Sequence, residues 1–516
     1  MSTPNSEVPK ATSREWVGLA VLALPCLLYS MDLTVLNLAV PKLSAALRPT
    51  STELLWIVDI YGFVLAGALI PMGVLGDRIG RRRLLMIGAA AFGCASVLAA
   101  FAVSVETLIA ARALLGLAAA TLAPATLSLL RCMFLDPKQR TFAVGVWIAS
   151  FSAGAAIGPL IGGVLLQFFW WGSVFLSNLP VMVLLLAVGP RLLPEFRDPQ
   201  AGRPDILSAA LCIATVLSVI YGIKRIAGYG ADWVAVATIL SGLAIGAVFL
   251  RRQRKLAEPF IDLGLFRRVT FSAALAVNIF GFFVAFGSFL LIAQYFQLVM
   301  GLSPLVAGLY SAPSGIAFVV SAMLTPRIVN HLRPPQVIAI GFVIAALGFG
   351  LLTQTGTTHD LALVVTAYAV FSLGLAPVFA LATDLMVSTA PPERAGAAAG
   401  VAEMSSELGG ALGIALLGSV VTFIYRGTVA GAWGGDLSPD ALEAARQTLG
   451  GALSVAGALP DESGAALVSV SRSAFVEAFK TTALACAVIA LIAAAATIRF
   501  LGRTQQNRVA SKEKPG

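Results

Sequence analysis

Fourteen apolar stretches, each about as long as a bilayer crossing requires, follow one another between Trp16 and Leu501. About 20 residues of helix span the ~30 Å hydrocarbon core. Within that core each backbone polar group must be satisfied by the segment itself, which leaves helices for stretches of this length. They run Trp16–Val40, Leu54–Leu75, Leu84–Val103, Thr107–Leu130, Thr141–Phe168, Gly172–Pro190, Ile206–Ile226, Trp233–Leu250, Phe271–Val299, Leu305–Thr325, Gln336–Thr355, Leu361–Ser388, Ala397–Tyr425 and Phe475–Leu501. Charged residues make up only 12% of the 516, about half of what a water-facing domain carries. An all-α membrane protein is expected. The first stretch is too long for a signal peptide and no small-residue cleavage site follows it, so it is read as the first span.

Charge orients the chain. Of its 35 Lys and Arg, 26 fall in the tails and in alternate connections, among them Arg78, Arg81, Arg82 and Arg83. Seven fall in the opposite set, which includes Lys42, Lys224 and Arg225. Basic residues stay on the cytoplasmic side. The expectation is a multi-pass protein of the bacterial inner membrane with both termini in the cytoplasm. Topology then accounts for the net charge of +9, and no nucleic-acid partner is called for. Five cysteines without a CxxC pair suit neither a disulfide framework nor a metal site.

Displacing the sequence by 255 residues lays Gly145, Gly154, Gly158 and Gly163 on Gly400, Gly409, Gly413 and Gly418. The fifth span thus matches the thirteenth, and small residues at helical spacing allow close helix packing. Internal repeats of this kind are common in transporters, with the substrate held between the halves. The division expected is a tail (1–15), a six-helix bundle (16–190), a linker with two extra helices (191–250) and a cytoplasmic loop (251–270). A second six-helix bundle (271–501) follows, with an extracellular loop at 426–473, and then a tail (502–516). Ser-Pro-Asp at Ser438 is a helix-start signal inside that loop.

The connection after the second span reads GVLGDRIGRRRLL. Gly73 and Gly76 permit close backbone approach and Gly80 permits a positive-φ turn. Asp77 can pair with a nearby arginine. This segment resembles the signature loop of the major facilitator superfamily. Three more segments agree: GAAIGPLIGG (Gly154 to Gly163), MDLTVLNLAVP (Met31 to Pro41) and ARALLG (Ala111 to Gly116). They resemble motifs of the drug:proton antiporters with fourteen spans, and LWIVDIY and EMSSELGGALG further resemble QacA-, LfrA- and SmvA-type multidrug pumps. The resemblance implies two six-helix bundles plus two additional transmembrane helices. It also implies a cytoplasmic latch formed by Gly73, Gly76, Asp77, Arg78, Gly80, Arg81 and Arg82. Gly154, Gly158, Pro159, Gly162 and Gly163 would form the antiporter helix motif, and Arg112 would take part in proton transfer. The tenth span lacks the acid found in some of these pumps.

Asp32, Asp59, Arg112, Glu403 and Glu407 lie inside spans. Each costs about 2.5–3.5 kcal/mol to insert, so a functional role is the default. Asp32, Asp59 and Arg112 fall in the outer halves of their spans and could form one cluster. Glu403 and Glu407, four residues apart, share a helix face. Proton coupling is expected at Asp32 and Arg112. Binding of lipophilic cations is expected at Glu407, Glu403, Asp59, Trp56 and Tyr61, since ring faces attract cations. Asp59 could instead neutralise Arg112. No GxxxxGK[ST] loop occurs, so the expected drive is the proton gradient, with no cofactor and no covalent catalysis. The expected partners are protons, small lipophilic cations and membrane lipids, and the expected state is a monomer. The alternatives are a dedicated exporter of one antibiotic or metabolite and a proton-coupled uptake symporter.

Overall fold

A computed structural model describes residues 10–197, 205–256, 264–357, 361–389, 395–432 and 438–502. The first half holds α1 (Ser13–Leu47), α2 (Ser51–Ile79), α3 (Arg81–Ala100), α4 (Val105–Met133), α5 (Pro137–Phe168), the single turn α6 (Ser173–Leu176) and α7 (Leu179–Leu192). The linker pair is α8 (Ile206–Tyr229) and α9 (Trp233–Gln253). The second half holds α10 (Val269–Gln294), α11 (Pro304–Ile328), α12 (Pro334–Leu352), α13 (Leu361–Thr389), α14 (Ala395–Ala432), α15 (Pro439–Gln447), α16 (Leu449–Ala456) and α17 (Asp461–Thr497). Thirteen of the described segments are long and apolar enough to cross a membrane. The fourteenth, α5, is a 32-residue helix over the fifth expected span.

Local chemistry sets several of the ends. Thr12 caps α1, and Glu15 closes a capping box with it; hydrogen bonds from the Thr12 side chain and amide hold the Glu15 carboxyl below the usual carboxylate range. Asp136 caps α5 ahead of Pro137, a residue suited to a first turn because its missing N–H would find no partner there. Gly80, at φ 113°, makes the turn between α2 and α3.

The glycine repeat is realised in the packing. A methyl group on Gly154 of α5 would come within 2.1 Å of Leu27 O on α1, and one on Gly413 of α14 within 2.1 Å of Phe283 O on α10. Each half therefore uses its glycine helix to approach its own first helix. The same two helices meet the opposite half. Gly163 lies against Pro304 of α11, and Gly418 against Leu55 of α2. Gly413→Ala has no room to relax against a backbone carbonyl. It is expected to destabilise the protein by about 1–3 kcal/mol, as overpacking does; an unchanged melting temperature in detergent would refute the contact.

We call the end where α1 begins the near end, and the other the far end. At the far end the halves are joined. Gln297 Nε2 of the second half donates to Leu38 O of α1 at 3.1 Å. The segment expected as a long loop is largely helical there. α15 starts at its Ser438 cap as expected, whereas α16 and the early start of α17 at Asp461 were not foreseen. Their Ala, Gly and Ser give a weak amphipathic pattern, and burial of Ala445, Ala452, Ala456 and Leu467 together supplies the packing. Ser51 on α2 donates to Gln447 Oε1 through its amide (3.1 Å) and hydroxyl (2.9 Å). Gly450 lies against Ser44 of α1. The α15–α16 hairpin thus straps the second half to the first across the far end.

Candidate functional site

Asp32 and Arg112 form a buried ion pair, Arg112 Nη1 to Asp32 Oδ2 at 2.7 Å. The fold brings them together through α4. Gly116 presses on Tyr61 O of α2, and one turn away the arginine reaches the α2 backbone. Its Nε donates to Ile57 O at 3.1 Å and its Nη2 to Val58 O at 3.3 Å. The second Asp32 oxygen accepts from Asn178 Nδ2 at 3.3 Å, and that amide also faces Ser96 Oγ. Asn178 sits at the break between α6 and α7, where Pro180 follows and lacks an N–H. Sequence reading missed this residue; a lone amide just before Leu-Pro in an apolar run was its signal.

Asp59 lies within reach of the charge of Arg112 but makes its direct ion pair elsewhere. It points to Lys224 of α8, Nζ to Oδ2 at 2.6 Å, with both side chains fully buried. The expectation that Asp59 lines an open cation site is corrected, because Lys224 occupies it. Lys224 had been counted with the connecting segments; it stands inside α8, and its position within an apolar helix was the available signal. Trp56 and Tyr61 each face a cation of the protein itself. The Trp56 ring lies 4.2 Å from Lys224 Nζ. The Tyr61 ring lies 4.6 Å from the Arg112 guanidinium and is fully buried. Both rings serve internal cations.

Glu407 and Glu403 lie one turn apart on α14 and are only partly buried. Tyr29 of α1 donates its hydroxyl to Glu407 Oε1 across the two halves. Tyr29 packs edge-on against Phe151 at 5.4 Å, and Phe151 against Trp147 at 4.7 Å. Phe286 of α10 lies against Gly410, one turn from Glu407. A carboxylate is therefore ringed by aromatics from α1, α5 and α10.

The loop residues Gly73, Gly76, Asp77, Arg78, Gly80, Arg81 and Arg82 close the near end of α2 and open α3. Gly73 faces Pro124 of α4, and Gly76 faces Leu84 and Arg81. A side chain on Gly80 would strike the Glu195 carboxylate. Arg82 pairs with Glu195 at 3.5 Å and donates to Pro190 O and Leu193 O, both at 3.1 Å. Arg81 N donates to Phe196 O, and Arg78 is exposed. The Asp77 side chain lies outside the described set. In the antiporter motif, Gly158 meets Thr34 Oγ1, Gly162 meets Val35, and Pro159 O faces Gly308 of α11.

The sequence model of the Major Facilitator Superfamily matches residues 22–414. The chain is 40% identical over 498 residues to the multidrug efflux pump LfrA of Mycolicibacterium smegmatis, covering 96% of this chain and 98% of that protein. It is 36% identical to the methyl viologen resistance protein SmvA of Salmonella typhimurium, covering 90% and 93%. Among solved structures, a bacterial homolog of the human lysosomal transporter Spinster, inward-facing and unoccupied, superposes with a TM-score of 0.66 at 18% identity. That match covers 95% of this chain and 98% of the other. A peptide transporter POT in complex with sulfate gives 0.60 at 16%, covering 94% and 95%.

Proposed function

Since this chain belongs to the major facilitator superfamily, we propose that it is a proton-coupled antiporter that exports lipophilic cationic drugs, dyes and antiseptics from a bacterial cell across its cytoplasmic membrane. One observation carries the reading: the fold holds two separate acidic centres. Asp32 is sealed against Arg112 within the first half, while Glu407 lies between the halves, partly open and ringed by aromatics. The first suits a proton, since protonation releases the arginine without moving a ligand. The second suits a cation with apolar bulk, through charge pairing and ring faces. Glu403, on the same face, serves as a secondary carboxylate. The efflux-pump relatives support a small-molecule cargo.

The excess of basic residues at the near end supports a cytoplasmic placement for it, and the contacts across the far end support a state that loads from within. The chain is a transporter working as a monomer, with the proton gradient as its drive, and no residue is assigned a catalytic role. Everted vesicles energised by a pH gradient, given a panel of fluorescent cations, test the proposal. Cation accumulation coupled to proton release supports it; accumulation that ignores the pH gradient refutes the coupling.

The near-end loop is the proposed latch of the opposite, outward-open state. Asp77→Asn is expected to lower the transport rate at least tenfold and to change equilibrium cation affinity less than threefold. Unaltered transport at equal expression would remove the latch.

A further inference from the structure

The linker pair α8–α9 is largely exposed along its length, as helices facing lipid are. Among the charged side chains described on the pair, Lys224 is the one wholly buried. α8 lies along the seam where α2 of the first half meets α14 of the second. Ile213 fills the space beside Gly67 of α2, and Ile220 packs with Phe63 of α2 and with Ala411 and Ala415 of α14. From there Lys224 reaches Asp59 and lies over Trp56. A purely packing role does not call for this pair, since buried ion pairs are often replaced by apolar residues at no loss of stability. Asp59 Oδ1 is buried without a hydrogen-bond partner, so the carboxylate retains unused acceptor capacity. It is also close to the proposed cargo site. One turn along α2, a methyl group on Gly62 would lie 3.2 Å from Ala411 Cβ and 4.0 Å from Glu407 O.

We propose that Lys224 of the linker helix is a specificity residue, a tethered cation that occupies Asp59 and so withholds this carboxylate from cargo next to Glu407. The linker helix then sets the charge of the cargo the pump accepts. With Lys224 in place the aromatic site presents the α14 carboxylates alone. Without it, Asp59 becomes a further anionic arm, one turn away along the seam, and a second positive charge on the ligand gains a partner. The inference rests on the proposed function, since it concerns cation cargo.

The test is equilibrium binding to purified full-length protein of two probes, ethidium as monocation and a bis-quaternary bipyridinium as dication, at pH 8.5. Lys224→Met is expected to shift the dication-to-monocation affinity ratio at least tenfold towards the dication. Lys224→Arg keeps the parent ratio, and the double variant Asp59→Asn with Lys224→Met returns to it. Should the Met variant not fold, Lys224→His gives a parent-like ratio at pH 5.5, where the imidazole is cationic, and a shifted one at pH 8.5. A ratio within twofold of the parent in the folded Met or His variants overturns the proposal, as does a shift that persists in the double variant. A parent protein that binds neither probe refutes the cation-export reading instead.

Discussion

Asp32→Asn is expected to abolish uphill export driven by a pH gradient, lowering it at least a hundredfold, while downhill exchange of cargo continues. Asparagine has the size of the protonated acid but cannot change charge. The geometry keeps Arg112 in place without the ion pair, because Ile57 O and Val58 O still accept from it and the Tyr61 ring still lies under it. Leaving a buried arginine uncompensated costs stability, by about 3–5 kcal/mol in comparable cases. Counterflow is therefore the control: a variant that still exchanges labelled for unlabelled cargo is folded. Proton release from the lumen of everted vesicles on cargo addition is the measurement. If Asp32→Asn still drives it at the parent rate, the proton travels on another acid.

Glu407→Gln is expected to weaken binding of monovalent lipophilic cations by about 10- to 100-fold, in line with about 1.5–3 kcal/mol for a hydrogen-bonded contact to a charged group. The glutamine can still accept from Tyr29, so the link between α1 and α14 survives and the loss is one of charge. Neutral ligands should bind as before. A corollary concerns the membrane potential, worth about 2.3 kcal/mol per charge per 100 mV. Exchange of one proton for one monocation moves no net charge, so efflux should follow the pH gradient alone. Equal ethidium affinity in Glu407→Gln and the parent removes Glu407 from the site. Efflux that collapses with the potential at constant pH gradient excludes that stoichiometry.

Much of the scaffold was legible because the bilayer constrains it. Fourteen stretches of bilayer length and the repeat of Gly154, Gly158 and Gly163 at Gly409, Gly413 and Gly418 are properties of the sequence alone, and both reappear as helices and as backbone contacts. The pairing of Asp32 with Arg112 follows from two charges at similar depth. The partners of the other acids were not legible, because they come from remote parts of the chain. Tyr29 and Glu407 are 378 residues apart. Lys224 sits beside Arg225, and the two together look like the end of a span. In the structure Lys224 turns inward to Asp59 while Arg225 turns to Asp232 at the helix end. The direction a side chain takes from a helix depends on what packs against it, and one sequence does not state that. α16 was missed for a related reason, since a run of small residues becomes a helix only when neighbours cover it.

The strap across the far end bears on how such a pump could be stopped. Compounds that block an exporter from within must first enter the cell and then resist being exported. The α15–α16 hairpin lies on the outer face under the orientation proposed above, and it holds α2 through Ser51 and Gln447. If that contact must part each time the outer end opens, a molecule that welds it shut would arrest the cycle from outside, and the pump could not expel it. Cysteines introduced at Ser51 and Gln447 offer the direct trial. Oxidation should halt export and reduction restore it; export that continues under complete cross-linking would mean the strap rides with both halves and brakes nothing.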